Sequence, residues 1–260
     1  MKTKTVSFKH ITRIALCGLA VLALVQVQAQ ANGVGYTLVD GTSSAAYDPA
    51  SVGGMTDWIV GGADHLVSQA FWVRVDAPNA DPWETSLADI YLGSSQGAAN
   101  AVSSSFGVGG MYSIDIDYTL TELTAGSLGS ISSAQILESI TINNDSGAEL
   151  SLSFFQYNNF DLATPGGDYT RILDDGSTYN VAQQTEPGVS GLEEAAVSVS
   201  PGSVRAQVAY YDTILAMLED GDVDDLNNST GTLGPGNMEF AFQWQYTIAA
   251  GGSEAISKVK

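Results

Sequence analysis

Met238-Glu239-Phe240-Ala241-Phe242-Gln243-Trp244-Gln245-Tyr246-Thr247-Ile248 is the stretch that decides the fold. Taken in twos, Met238, Phe240, Phe242, Trp244, Tyr246 and Ile248 share one side. Glu239, Ala241, Gln243, Gln245 and Thr247 share the other. A period of two predicts a strand with one buried and one wet face. No other segment gathers so much aromatic area on one side, so this face is the expected floor of the core.

Working outward, the same period recurs. Tyr112, Ile114, Ile116, Tyr118 and Leu120 alternate with Ser113, Asp115, Asp117, Thr119 and Thr121. Ile136–Ile142 and Leu150–Tyr157 flank Asn143-Asn144-Asp145-Ser146-Gly147, which predicts a hairpin. A second hairpin is expected from Tyr169–Leu173 and Thr178–Ala182 across Asp174-Asp175-Gly176-Ser177. Phe71, Val73 and Val75 alternate with Trp72 and Arg74, so large residues occupy both sides. That strand is expected to lie between the core and a covering loop. Val34–Val39, Trp58–Val60, Thr85–Leu92, Val102–Phe106 and Ala195–Ser200 read as further strands. Asp40–Gly54, most of Gly93–Gly110, and Gln183–Gly191 read as loops.

One helix is expected. Val204, Val208, Tyr211, Leu215 and Leu218 follow the spacing of a single helical face. Ser200-Pro201 or Ser203 would start it and Gly221 would stop it. The count is about ten to twelve strands and one helix. An antiparallel β-sandwich with one short amphipathic helix is the economical fold, and a closed β-barrel is the alternative.

The first residues carry Lys2, Lys4, Lys9 and Arg13, then an apolar run from Ile14 to Val25, then Val27-Gln28-Ala29-Gln30-Ala31. This is the pattern of a secretory signal peptide over residues 1–31, with cleavage after Ala29 or Ala31. The apolar run is roughly half of the ~20 residues that span a bilayer. Cys17 follows Leu16, where lipid attachment calls for a small residue. Residues 32–260 then form a single domain. It keeps no cysteine, one histidine (His65) and only Arg74, Arg171, Arg205, Lys258 and Lys260 against 29 acids. Such an acidic chain has no footprint for nucleic acid and is repelled by anionic membranes. The charge serves solubility, or the capture of divalent cations outside the cell. A secreted or cell-surface location is expected ahead of a periplasmic one.

Catalytic sets are sparse. A Ser–His–Asp triad would need His65, and no serine sits in a G-x-S-x-G turn. Thiol chemistry has no residue to use. Paired carboxylates for glycoside cleavage exist by chance among 29 acids, so no pair is singled out. Asp220, Asp222, Asp224 and Asp225 crowd one loop and are the candidate calcium ligands. That loop fails the EF-hand rule, because its sixth residue is Asp225 and its twelfth is Gly231. His65, Trp83, Gln243 and Gln245 are the candidate ligand-facing residues. Trp58, Trp72, Tyr157 and Tyr210 are further aromatics able to stack on sugar rings, whereas Trp244 belongs to the core.

Asp64-His65-Leu66, Phe71-Trp72-Val73-Arg74-Val75, Phe154-Phe155-Gln156-Tyr157 with Phe160-Asp161-Leu162, Leu233-Gly234-Pro235-Gly236, Ala241-Phe242-Gln243-Trp244 and Ile256-Ser257-Lys258 occur in this order. Together they resemble a group of uncharacterised secreted bacterial proteins, many with a C-terminal PEP-CTERM sorting tail. The resemblance runs from Trp58 to Lys260 and implies no catalytic residues. The tail departs from the pattern, having no Pro-Glu-Pro, closing apolar helix or basic cluster, so plain secretion is expected. The leading expectation is a non-enzymatic extracellular domain, structural or adhesive, meeting polysaccharide or other surface proteins. A calcium-assisted carbohydrate-binding module and a carboxylate-dependent glycan-cleaving enzyme are the alternatives.

Overall fold

Alternating apolar and small polar residues make strands over most of the chain, because side chains on successive strand residues point to opposite faces. The computed structural model describes residues 35–76, 83–123, 133–162, 166–188 and 191–260. The expected signal segment, residues 1–31, lies outside the described residues.

In chain order, β1 spans Tyr36–Asp40, β2 Ser43–Tyr47, β3 Met55–Val60, β4 Ala63–Asp64, β5 Leu66–Val75 and β6 Thr85–Ser86. A 3₁₀ turn at Leu87–Ile90 leads to β7 (Tyr91–Ala98), β8 (Ala101–Val108) and β9 (Tyr112–Leu123). Next come β10 (Ser133–Asn144), β11 (Leu150–Phe160), β12 (Asp168–Asp174), β13 (Tyr179–Gly188), β14 (Gly191–Ser203) and β15 (Arg205–Tyr210). Helix α1 (Ile214–Glu219) precedes β16 (Leu233–Gly236), β17 (Met238–Ile248) and β18 (Ser253–Val259).

The strands form two antiparallel sheets stacked as an open sandwich, with no closed barrel. One sheet runs β1-β2-β3-β5-β11-β17-β15, with β4 against β3 and β6 against β5. The other runs β16-β12-β13-β14-β18-β10-β9-β8-β7. Met238, Phe240, Phe242, Trp244 and Ile248 of β17 enter the core shared by both sheets. Leu150, Leu152 and Phe154 of β11 meet Ile140 and Ile142 of β10 in that same core. Trp244 donates its indole N–H to the Pro201 carbonyl at 2.9 Å, so its polar edge is satisfied while its rings pack.

Strand β17 differs from expectation on its second face. Glu239, Ala241 and Gln243 are buried, and only Gln245 and Thr247 reach solvent. The cover is α1 with the acidic loop after it. Ile214, Leu218 and Leu226 pack on Trp72, Phe155, Tyr157 and Ala241, making a second small core outside the first sheet. The covering expected over Trp72 is therefore present.

Several local readings are corrected. The first hairpin does not form, because β10 and β11 belong to opposite sheets. Its turn is a crossover pinned by Asn144, whose amide donates to the carbonyls of Ala148, Ile248 and Ala249. The helix is confined to Ile214–Glu219, and its expected first half is strand β15 paired with β17. Val208 is buried on β15, whereas Val204 precedes the strand and is exposed, so their spacing of four does not mark one helical face. Gly221 does follow the helix end, at φ +80°, the left-handed region glycine enters freely. The expected loop Gly93–Gly110 is mostly the hairpin β7–β8, and the loop Asp40–Gly54 contains β2. Serine and alanine there pack flat on a sheet where larger residues were sought. Thr85–Leu92 divides into β6, the 3₁₀ turn and the start of β7. The loop expected after Gln183 and the short strand after it are β13 and β14, a long pair.

Candidate functional site

The second expected hairpin is present, and it shapes the site. Asp175 accepts the N–H groups of Ser177 and Thr178 and the Ser177 hydroxyl, closing the turn between β12 and β13. Those donors hold its carboxyl well below the usual range. The register places Tyr169 opposite Thr185 and Arg171 opposite Gln183. Thr170, Ile172, Ala182 and Gln184 are buried between them, so the four paired residues look away from the core. With Thr170 and Thr232 they line an open groove of about 320 Å³. That volume is at the lower end of small-molecule sites, roughly 300–1,000 Å³.

The groove's polar groups are held in place. Arg171 donates from Nε and Nη2 to Gln183 Oε1, at 2.9 and 2.6 Å. Gln183 Nε2 donates to Glu194 Oε1 at 2.7 Å, which fixes which end of the amide faces the arginine. Arg171 is the one lysine or arginine among the described residues that makes no ion pair. A half-buried aromatic ring, threonine hydroxyls, an amide and a guanidinium suit a ligand with flat apolar faces and a rim of hydroxyls.

None of the residues singled out from sequence lines this groove. Gln243 is buried under the acidic loop, accepting from Leu226 N–H at 2.9 Å and donating to Asp225 at 2.6 Å. Asp225 is also taken by Arg74 at 2.9 Å and Arg205 at 3.5 Å. Burial opposes its charge, yet Gln243 and the two arginines hold its carboxyl below the usual range. Asp224 moves the other way, raised by burial and by the Asp220 and Asp222 charges. Asp220 accepts the Asp222 N–H. Among the described residues no three His, Cys, Asp or Glu side chains converge to hold a metal ion. His65 bridges strands through its backbone, donating to Trp58 and accepting from Asp161. Gln245 is exposed on β17. Trp83 is 45% exposed and precedes Glu84, which joins Arg74. Trp58, Trp72 and Tyr157 are core residues, while Tyr210 is exposed. The groove's signal was in the sequence as Tyr169-x-Arg171 and Gln183-x-Thr185 on the outward positions of one hairpin. Reading it requires the register, and composition alone places Gln183 at the start of a loop.

A second polar feature lies inside the sandwich. Lys258 and Lys260 meet Glu138 at 2.9 and 3.0 Å, all fully buried, and Gln69 donates to Glu138 at 3.0 Å. Burial pulls the Lys258 ammonium down to about 7, against the attraction of Glu138. Gln69 lies opposite Asn158 in the sheet, and Gln156 follows on the same face. Both amide atoms of Gln156 and Asn158, Thr170 Oγ1 and Gln184 Oε1 are buried without a hydrogen bond. Burial, with the Glu186 and Asp161 charges, pushes Asp168 up to about 7, against a smaller pull from Gln184. Each unpaired buried atom costs about 1–3 kcal/mol. These side chains are enclosed in the interior.

No family model matches the chain, and no curated protein matches it. Solved structures share the fold. A bacterial glucoamylase complexed with acarbose matches at TM-score 0.56 and 8% identity, over 88% of this chain. This chain spans 33% of that enzyme's length. A putative aldose 1-epimerase from Escherichia coli K12 matches at TM-score 0.54 and 9% identity, over 86% of this chain and 97% of its own. A galactose mutarotase related enzyme from Lactobacillus acidophilus matches at 0.53 and 7%, over 86% and 96%. At these identities the likeness is one of fold.

Proposed function

We propose that this protein is a secreted, non-enzymatic extracellular domain that adheres to polysaccharide through the groove on β12 and β13. The observation that carries the reading is the groove itself, with Tyr169 and Arg171 on one strand opposite Thr185 and Gln183 on the next. Tyrosine offers a face for the C–H side of a sugar ring, and the surrounding polar groups meet its hydroxyls. The fold's likeness to proteins named as glucoamylase, epimerase and mutarotase lends further support. The basic, apolar and small-residue sequence of residues 1–31 supports export. An acidic exterior keeps such a domain soluble without disulfides.

The test is affinity electrophoresis in gels cast with soluble polysaccharides. Wild-type protein should be retarded by at least one of them. Tyr169→Ala should restore free migration, and Trp83→Ala should migrate as wild type. Retardation unchanged by Tyr169→Ala, or lost with Trp83→Ala, places the contact elsewhere.

A further inference from the structure

We infer that the groove selects glycans bearing carboxylates, that is, uronic acid residues, with Arg171 as the group that recognises them. The inference rests on the groove being the glycan contact. It comes from how Arg171 is held. The cations Arg74, Arg205, Lys258 and Lys260 are each committed to an acidic partner. Arg171 is exposed, and its partner is the neutral Gln183. Glu194, the nearest acid in this chain of contacts, bonds the far end of Gln183. The guanidinium is therefore fixed in orientation, as in an ion pair, with no carboxylate in direct contact with it. Nη1 and the second Nη2 proton remain as a parallel pair of donors, the geometry that takes a carboxylate in two bonds. Tyr169, two residues earlier on the same outward side, lines the same groove. A hexuronate offers both features, a ring face and a carboxylate on one edge.

The protein as a whole is strongly acidic, with formal charge −20. At physiological salt the screening length is about 8 Å, so distant acids are damped and the local contact decides. The experiment measures retention at that salt on polygalacturonate, its methyl ester, neutral dextran and dextran sulfate. Wild type should hold polygalacturonate best. Arg171→Gln should weaken that binding about ten- to hundredfold, the effect of losing a charge-assisted pair of bonds. Arg171→Lys, which keeps the charge and loses the fork, should recover only part of it. Circular dichroism on each variant establishes that it is folded.

Equal retention of the methyl ester or dextran by wild type overturns the inference and leaves a neutral-glycan reading of the groove standing. Equal retention of dextran sulfate, or full recovery by lysine, also overturns it, since charge alone would then suffice. Wild-type strength in Arg171→Gln removes Arg171 from recognition. If wild type holds none of the four and no other polysaccharide, the groove's role in adhesion fails with it.

Discussion

Asp168 precedes Tyr169 on β12 and points into the sandwich where Tyr169 points out. Its carboxyl titrates at about 7 in the folded protein because burial penalises the charged form. In an unfolded chain an aspartate titrates near 3.9. The folded state thus binds the proton more tightly, so this residue's stabilisation is complete below about pH 4 and is lost as pH rises through about 7. Urea unfolding at pH 5 and pH 8 should show wild type losing roughly 2–4 kcal/mol more than Asp168→Asn across that interval. Parallel curves for the two proteins would remove Asp168 as the source. Trp244 gives a simpler case. It is buried against Phe154 and Phe242, and Trp244→Ala should cost roughly 3–5 kcal/mol by removing that packing. A variant with unchanged urea midpoint would mean the ring does not pack where it is placed.

Among the described residues the densest ion-pair network centres on Arg74 of β5 and reaches the acidic segment after α1. Arg74, on the outer side of β5, meets Asp76 at 2.7 Å, Glu84 at 2.6 Å and Asp225 at 2.9 Å, and also donates to the Asp224 carbonyl. Burial works against the guanidinium, and the three carboxylates outweigh it. Glu239 has the matching task at the other end. It accepts from the Asp212 and Ile214 N–H groups, supplying the cap that Thr213 does not give α1. Removing one partner of a buried pair leaves the other charge stranded, at about 3–5 kcal/mol. Arg74→Leu should therefore lose about that much, with faster amide exchange at Leu226. Arg74→Leu combined with Glu84→Leu should regain part of the loss, and a double variant weaker than the single would contradict this account.

What could be read from sequence at this scale follows from period. The strands at Tyr112–Leu123 and Met238–Ile248 were legible because large and small residues alternate along them. Most of β7 was not, since its serines, glycines and alanines carry little contrast, and of β8 the part Val102–Phe106 was. At β15 the spacing of Val204 and Val208 imitates a helical face, although Val208 is buried on the strand and Val204 is exposed before it. The groove was half legible. Its hairpin and turn could be read, but the opposition of Arg171 and Gln183 depends on a register that composition does not encode.

At the scale of the whole molecule, the sandwich follows from strands with one apolar face, and the sheet assignment does not. β10 and β11 are adjacent in sequence with a strong turn between them, yet they separate into different sheets. Local turn chemistry cannot distinguish a hairpin from a crossover when both flanks are apolar. Net charge acts at this scale too. With formal charge −20 the folded surface repels itself. The melting temperature should rise as salt goes from about 10 mM to about 150 mM, because screening relieves that repulsion. A fall over that interval would show that surface attraction outweighs it.

The central claim is that the β12–β13 groove is where this protein meets glycan. It is tested most directly by amide NMR of the labelled protein titrated with the oligosaccharides of whichever polysaccharide retards it. The account predicts saturable shifts at Tyr169, Arg171, Gln183, Thr185 and Thr232, with Trp83, Gln245 and the Asp220–Asn228 loop unmoved. Shifts centred on Trp83, Gln245 or that loop, with the groove silent, would contradict it.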